Sequence, residues 1–184
     1  INGNSIENEI IGGVRLSGKI NNNLRLGILS VQTKEDIENE IPATNNSVLA
    51  IQQKIFSRSN VSFLFINKQA TKKYDFLTDS NTYNRVIGID YNLASADNTW
   101  TGRYFVHKSF SPGVHSKDVS AGISTEYNSK LFKIRLSGLY IEDDFRSDLG
   151  FVRRTDIIKI NPSFERTFYP KKGGIQKHSF SVIP

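Results

Sequence analysis

A chain of 184 residues, 38% of them hydrophobic, is one domain in size, and no stretch reaches the roughly eighteen consecutive apolar residues of a membrane helix. Without cysteine neither a disulfide framework nor a thiolate metal site can form, which leaves the compartment open. The net charge of +6 is carried by Lys and Arg scattered along the chain, so no nucleic-acid surface is expected.

Residues 1–9 are polar and lack the apolar core of a cleavable signal. Either the protein is cytoplasmic or its precursor starts before this chain. Strand-like runs then follow one another at 10–20, 24–33, 46–56, 61–70, 84–94, 99–109, 118–127, 130–141, 156–168 and 175–183. Each is about ten residues long, against about five or six for an average globular strand and about nine to eleven for a tilted transmembrane strand.

Short turns are predicted at Asn21-Asn22-Asn23, Ser57-Arg58-Ser59-Asn60, Ser95-Ala96-Asp97-Asn98, Asn128-Ser129 and Lys171-Lys172-Gly173-Gly174. Asn, Asp, Ser and Gly suit such hairpins because they tolerate or bond to left-handed backbone. Long polar loops at 34–45, 71–83, 110–117 and 142–155 alternate with them. Short, long, short, long is the habit of an up-and-down barrel in an outer membrane. A soluble meander has no reason to sort its loops in this way.

The strand faces agree, because side chains alternate with period two. Val119, Ala121, Ile123, Thr125 and Tyr127 oppose Ser120, Gly122, Ser124 and Glu126. In the next run Phe132, Ile134, Leu136, Gly138 and Tyr140 oppose Lys133, Arg135 and Ser137. Runs near Leu24 and Val48 alternate less cleanly. Phe56, Tyr83, Trp100, Phe110, Tyr127, Phe132, Tyr140 and Tyr169 lie towards strand ends, where aromatic girdles meet a membrane boundary.

The expected fold is therefore all-β: an antiparallel up-and-down transmembrane β-barrel of about ten strands. If the short turns are periplasmic, residue 1 and residue 184 both lie outside the cell. Single-chain bacterial barrels keep both termini in the periplasm, so residues 1–184 are read as an interior segment of a larger barrel.

Four stretches carry a resemblance. They are residues 10–33 (IIGGVRLSGKINNNLRLGILSVQT), residues 43–56 (ATNNSVLAIQQKIF) with 61–69, residues 84–93 (NRVIGIDYNL) and residues 148–156 (DLGFVRRTD). In that order they resemble a Bacteroidota family of large outer-membrane barrels, domain-of-unknown-function family 5916, in which the barrel typically follows a carbohydrate-binding module of the family-9 type. The resemblance implies a bacterial outer-membrane location and a longer parent chain. No such module is in this chain, so a glycan partner would be reached only through a domain outside it.

Candidate chemistry is thin. His107, His115 and His178 are the only histidines. Ser109, Ser111 and Asp118 near His107 are candidates for a barrel-embedded hydrolase, but nucleophilic catalysis needs a base within hydrogen-bond reach and a third group orienting it. Glu35, Asp36, Glu38 and Glu40, or Glu142, Asp143 and Asp144, offer oxygen ligands without the spacing of a calcium loop. Gly12-Gly13 opens no helix, so it cradles no phosphate. The expectation is no enzyme activity, no cofactor and no metal.

Nine charges are expected on the lumen side: Arg15, Lys19, Asp90, Arg103, Glu126, Lys133, Arg135, Lys159 and Glu165. A cationic excess would favour anions; the favoured reading is that opposite charges pair across strands and fill a wide lumen. The segment Asp148, Gly150, Phe151, Arg153, Arg154 and Asp156 is expected at the outer rim, its two arginines pairing with Asp148 and Asp156. The partners expected are outer-membrane lipid and other outer-membrane or surface proteins, in a role of transport, assembly or anchoring. A soluble glycan-binding β-sandwich is the alternative.

Overall fold

The ten predicted runs are ten strands. The computed structural model describes residues 8–170, 174 and 176–183, and its strands are β1 (Ile10–Lys19), β2 (Leu24–Thr33), β3 (Thr44–Ile55), β4 (Ser59–Ala70), β5 (Tyr83–Ala94), β6 (Trp100–Phe110), β7 (Val119–Asn128), β8 (Phe132–Ile141), β9 (Ile157–Phe168) and β10 (His178–Val182). Each pairs antiparallel with the next, giving one sheet in chain order. The single helical piece among the described residues is a 3-10 turn at Asp79–Asn81. β1 pairs with β2 alone and β10 with β9 alone, so the sheet is not closed. No second sheet packs on it among the described residues, and the β-sandwich alternative is not what the chain builds.

One turn expectation is corrected. The β7–β8 connection is not the two-residue Asn128-Ser129 turn, because β7 runs through Asn128 and β8 starts at Phe132. Ser129 closes it, its amide donating to the Phe132 carbonyl (2.8 Å) and its hydroxyl accepting from the Phe132 amide (3.1 Å). The strand β10 is shorter than the run at 175–183, and the turn expected before it is Lys171-Lys172-Gly173-Gly174. Lys171, Lys172 and Gly173 of that turn, residues 1–7 and Pro184 lie outside the described residues. Elsewhere local chemistry makes the turn as expected: the Asn21 carboxamide oxygen accepts from the Asn23 and Leu24 amides, at 2.8 and 2.9 Å.

Side chains paired across strands share a face, so the register carries one alternation across the sheet. A single row runs through Gly18, Leu26, Ile51, Phe63, Ile89, Val106, Ala121, Tyr140 and Ile158, from β1 to β9 without a charge. The adjacent row, on the opposite face, runs through Lys19, Arg25, Gln52, Ser62, Asp90, Phe105, Gly122, Leu139 and Lys159. These define an apolar and a charged face.

The rows are steeply staggered. Lys19 is the last residue of β1 at its short-turn end, whereas Lys159 stands near the opposite end of β9, whose short-turn end is Phe168. A climb of about nine residues, about 30 Å, over about eight strand spacings, about 38 Å, tilts the strands by about 38°.

The apolar face is not covered. Among the apolar side chains of the described residues only Ala43, Val86 and Phe145 are buried, whereas Ile89 is 58% and Val106 57% exposed. Cation-bearing aromatics mark its ends: Arg85 over Tyr83 (4.6 Å) and Lys108 over Phe110 (5.5 Å) near the long loops, Arg166 over Phe168 (4.7 Å) near the short turns. Trp100 packs on Tyr127 at 5.0 Å, also by the short turns. Where β2 to β5 meet the long loops this face turns polar, and its groups satisfy one another: Ser30 with Ser47 (3.2 Å), and Arg85 donating to Asn67 (2.9 Å) and Gln69 (3.0 Å). That patch is why the alternation near Val48 is hard to read.

Glycine is required at two charged-face positions. Gly88 lies opposite His107 and Gly122 opposite Phe105, and each ring occupies the space where a Cβ on its glycine would stand. Gly122→Ala is expected to cost about 1–3 kcal/mol by displacing Phe105, read as a lower urea midpoint. Gly18→Ala, with open space around the new Cβ, should change it far less.

Candidate functional site

All nine charged residues predicted for one side fall on the charged face by the register of their strands. Five of them, Asp90, Arg103, Glu126, Lys133 and Arg135, pair across strands. Asp90, 7% exposed, accepts from Arg103 Nε at 3.0 Å and Nη2 at 2.7 Å, and its other oxygen lies 3.0 Å from His107 Nε2. A carboxylate this buried needs such partners. Arg103 and His107 flank the Phe105 ring, at 5.4 and 4.8 Å, and Gly88 and Gly122 leave the space that holds the three together. Glu126 accepts from Arg135 Nε at 2.8 Å and pairs with Lys133 at 3.3 Å. Lys133 stands directly opposite Glu165. Arg15, Lys19, Lys159 and Glu165 form no ion pair among the described residues.

The long-loop half of the same face is different. Leu64, Ile66, Val86, Leu139 and Ile141 project from it, and the loop 142–156 folds over them, leaving a cavity of about 840 Å³. The loop is fastened at Asn84, 1% exposed. Its amide group donates to Ser111 Oγ (3.1 Å) and the Arg146 carbonyl (3.0 Å), and its oxygen accepts from the Asp148 amide (2.9 Å). The Arg146 amide donates to Ser109 Oγ (3.1 Å), and its guanidinium reaches Asp148 (2.9 Å) and Asn81 (2.8 Å). Lys68 Nζ lies 3.3 Å from Asp148. Burial alone would push the Asp148 carboxyl up, but hydrogen bonding to Arg146 and the charges of Lys68 and Arg146 hold it below its ordinary value.

The predicted rim motif is corrected in two respects. Asp148 ties the loop to the wall through Lys68, but its second partner is Arg146, while Arg153 and Arg154 make no ion pair among the described residues and instead line the cavity. Gly150 and Phe151 also border the cavity, and Phe151 is 90% exposed. Asp156, at φ 52°, makes the bend into β9.

The candidate catalytic group is not assembled. His107 faces Asp90, whereas Ser109 donates to the Asp118 carbonyl, Ser111 accepts from Asn84, and the Asp118 carboxylate pairs with Lys108. His115 is exposed in its loop and His178 stacks on Phe168 at 5.1 Å. The loop acids are engaged locally: Glu35 with Lys72, Asp36 with Asn39, Glu142 with the Val119 amide and Tyr140.

Sequence reasoning missed Asn84, Arg146 and the apolar half of the charged face. The signal for the last was present: alternation fails in Phe63-Leu64-Phe65-Ile66 and in Leu139-Tyr140-Ile141, where both faces are apolar because a loop covers one of them. Asn84 gives no such signal, since an Asn beside a loop ordinarily reads as part of the turn. Comparison of the chain with family models, curated proteins and solved structures returns no match.

Asn84→Ala removes three hydrogen bonds from a buried point and orphans the groups they held, each costing about 1–3 kcal/mol. The expected result is release of the loop 142–156, measured as faster amide exchange at Asp148 and protease cleavage within the loop, while strand amides of β7 and β8 keep their protection.

Proposed function

We propose that the chain is a stretch of the wall of an outer-membrane β-barrel, its apolar face against lipid and its charged face lining a lumen partly filled by the loop 142–156. The observation that carries this reading is the charge-free row from β1 to β9, exposed on a sheet with almost no buried apolar side chains. Soluble monomers rarely leave a contiguous apolar face of more than a few hundred Å² open.

Three features support it. The tilt of about 38° falls within the 35–45° of closed barrels. Trp100 and Phe110, at opposite ends of β6 on the apolar face, are about 33 Å apart along the strand and so about 26 Å along a membrane normal at that tilt, close to the ~25 Å apolar band of such barrels. Mid-face, the Tyr104 hydroxyl is satisfied by Thr125 at 2.6 Å, as a polar group in hydrocarbon must be. The open edges of β1 and β10 are where further strands would complete the barrel, since unpaired strand edges cannot face lipid.

The role is non-catalytic: a restricted path for solutes, or an anchor for a surface module, with side chains that pair charge rather than activate a nucleophile. The resemblance of residues 10–33 and 148–156 to the Bacteroidota barrel family 5916 points to the same membrane.

In cell fractionation the protein is expected in the outer membrane, released only by detergent. Ile134→Arg, on the lipid side towards the short turns, should cost up to the roughly 2–4 kcal/mol of mid-membrane and deplete the folded fraction there, whereas Arg135→Leu should not. A protein soluble without detergent, or indifferent to Ile134→Arg, would refute the proposal.

A further inference from the structure

Some cations of the charged face meet carboxylates across strands, Arg103 at Asp90 and Lys133 and Arg135 at Glu126. The cavity beneath the loop 142–156 instead sets cations without such partners beside an apolar floor. Here Arg153, Arg154 and Lys159 line the opening and none has an ion-pair partner among the described residues. Among the described residues no carboxylate lines the cavity. Of the carboxylates nearby, Asp90 is engaged by Arg103 and His107 and Asp148 by Arg146 and Lys68, while Asp156 makes the bend into β9 outside the lining. Behind the cations the floor is hydrocarbon, with Leu64, Leu139 and Ile141. Its volume of about 840 Å³ lies within the roughly 300–1,000 Å³ of small-molecule sites.

We propose that this cavity binds a single-chain anionic amphiphile, of which a long-chain carboxylate is the simplest. The two guanidinium groups and Lys159 take the anionic head, for which the planar Arg fork is well matched. The chain lies along the apolar floor, where leaving water drives its binding. Charge complementarity selects this occupant: a neutral lipid would leave three cations unanswered, and a small inorganic anion would leave the floor empty. The fastening of the roof through Asn84 and Asp148 keeps the site formed before the ligand arrives. The inference deepens the lumen reading and rests on it only for the medium from which the ligand comes.

The test is photolabelling of the protein in phosphatidylcholine bilayers with a diazirine-bearing hexadecanoate, with the labelled residues mapped by mass spectrometry. Labels are expected on two surfaces, at Leu139 and Ile141 in the cavity and at Ile134 and Leu136 on the lipid face. Unlabelled hexadecanoate should displace the first set and hexadecanol should not. In the Arg153→Ala/Arg154→Ala double variant, whose exposed side chains hold no ion pair of the fold, cavity labelling should fall about tenfold with lipid-face labelling unchanged. An unlabelled cavity beside a labelled lipid face would overturn the inference and leave the membrane reading standing, as would cavity labelling that survives the double variant. Cavity labelling without lipid-face labelling would support the inference and contradict the membrane reading instead.

Discussion

A β-sheet satisfies its own backbone within its ladders, but its side chains must find their surroundings on each face separately. In this protein ten strands of mostly ten to twelve residues satisfy the backbone in one continuous meander. Nothing within the sheet answers the apolar face. The row from Leu26 through Phe63, Ile89 and Val106 to Ile158 has no second layer over it among the described residues, and burying such side chains is worth about 1.5–3 kcal/mol each. What lies against that row decides whether the sheet holds its shape, so every other feature is read relative to it.

The opposite face solves a different problem on each half. Near the short turns it collects charge, and burial of Asp90 is made tolerable by two donors and by glycines that leave space for the His107 and Phe105 rings. Near the long loops it is apolar and is roofed by a segment from the β8–β9 connection. That roof is held by Asn84 on β5, sixty-two residues before Arg146 and sixty-four before Asp148 in the chain. A buried, fully bonded amide in that position acts as a clasp. Together the halves give one face a polar belt and a covered hydrocarbon chamber, separated by a few residues along each strand.

Much of this was legible in the residues. Period-two alternation in β5 to β9 sets both the strands and their facing, and all nine charges predicted to share a side do so. Turn chemistry located the short connections, since Asn21 and Asp97 bond their own backbone. The misses have physical causes. A loop folding back across a sheet is a long-range event with no local period, so the roles of Asn84 and Arg146 could not be read. The pairing of Arg153 and Arg154 was assigned to neighbouring acids in sequence, but Asp148 bonds instead to a cation two residues away and another on β4. Where Leu139 and Ile141 continue the polar face of β8, alternation by itself could not tell a lumen from a covered chamber.

The central claim, that one face meets lipid and the other an aqueous interior, can be tested residue by residue because the chain has no cysteine of its own. Single cysteines along β8, placed in turn from Phe132 to Ile141, can be exposed in intact membranes to a water-soluble, membrane-impermeant maleimide. The account predicts alternation: rapid modification at positions 133, 135 and 137, and protection at 134 and 136 until detergent is added. Equal reactivity at 134 and 135, without detergent, would contradict it.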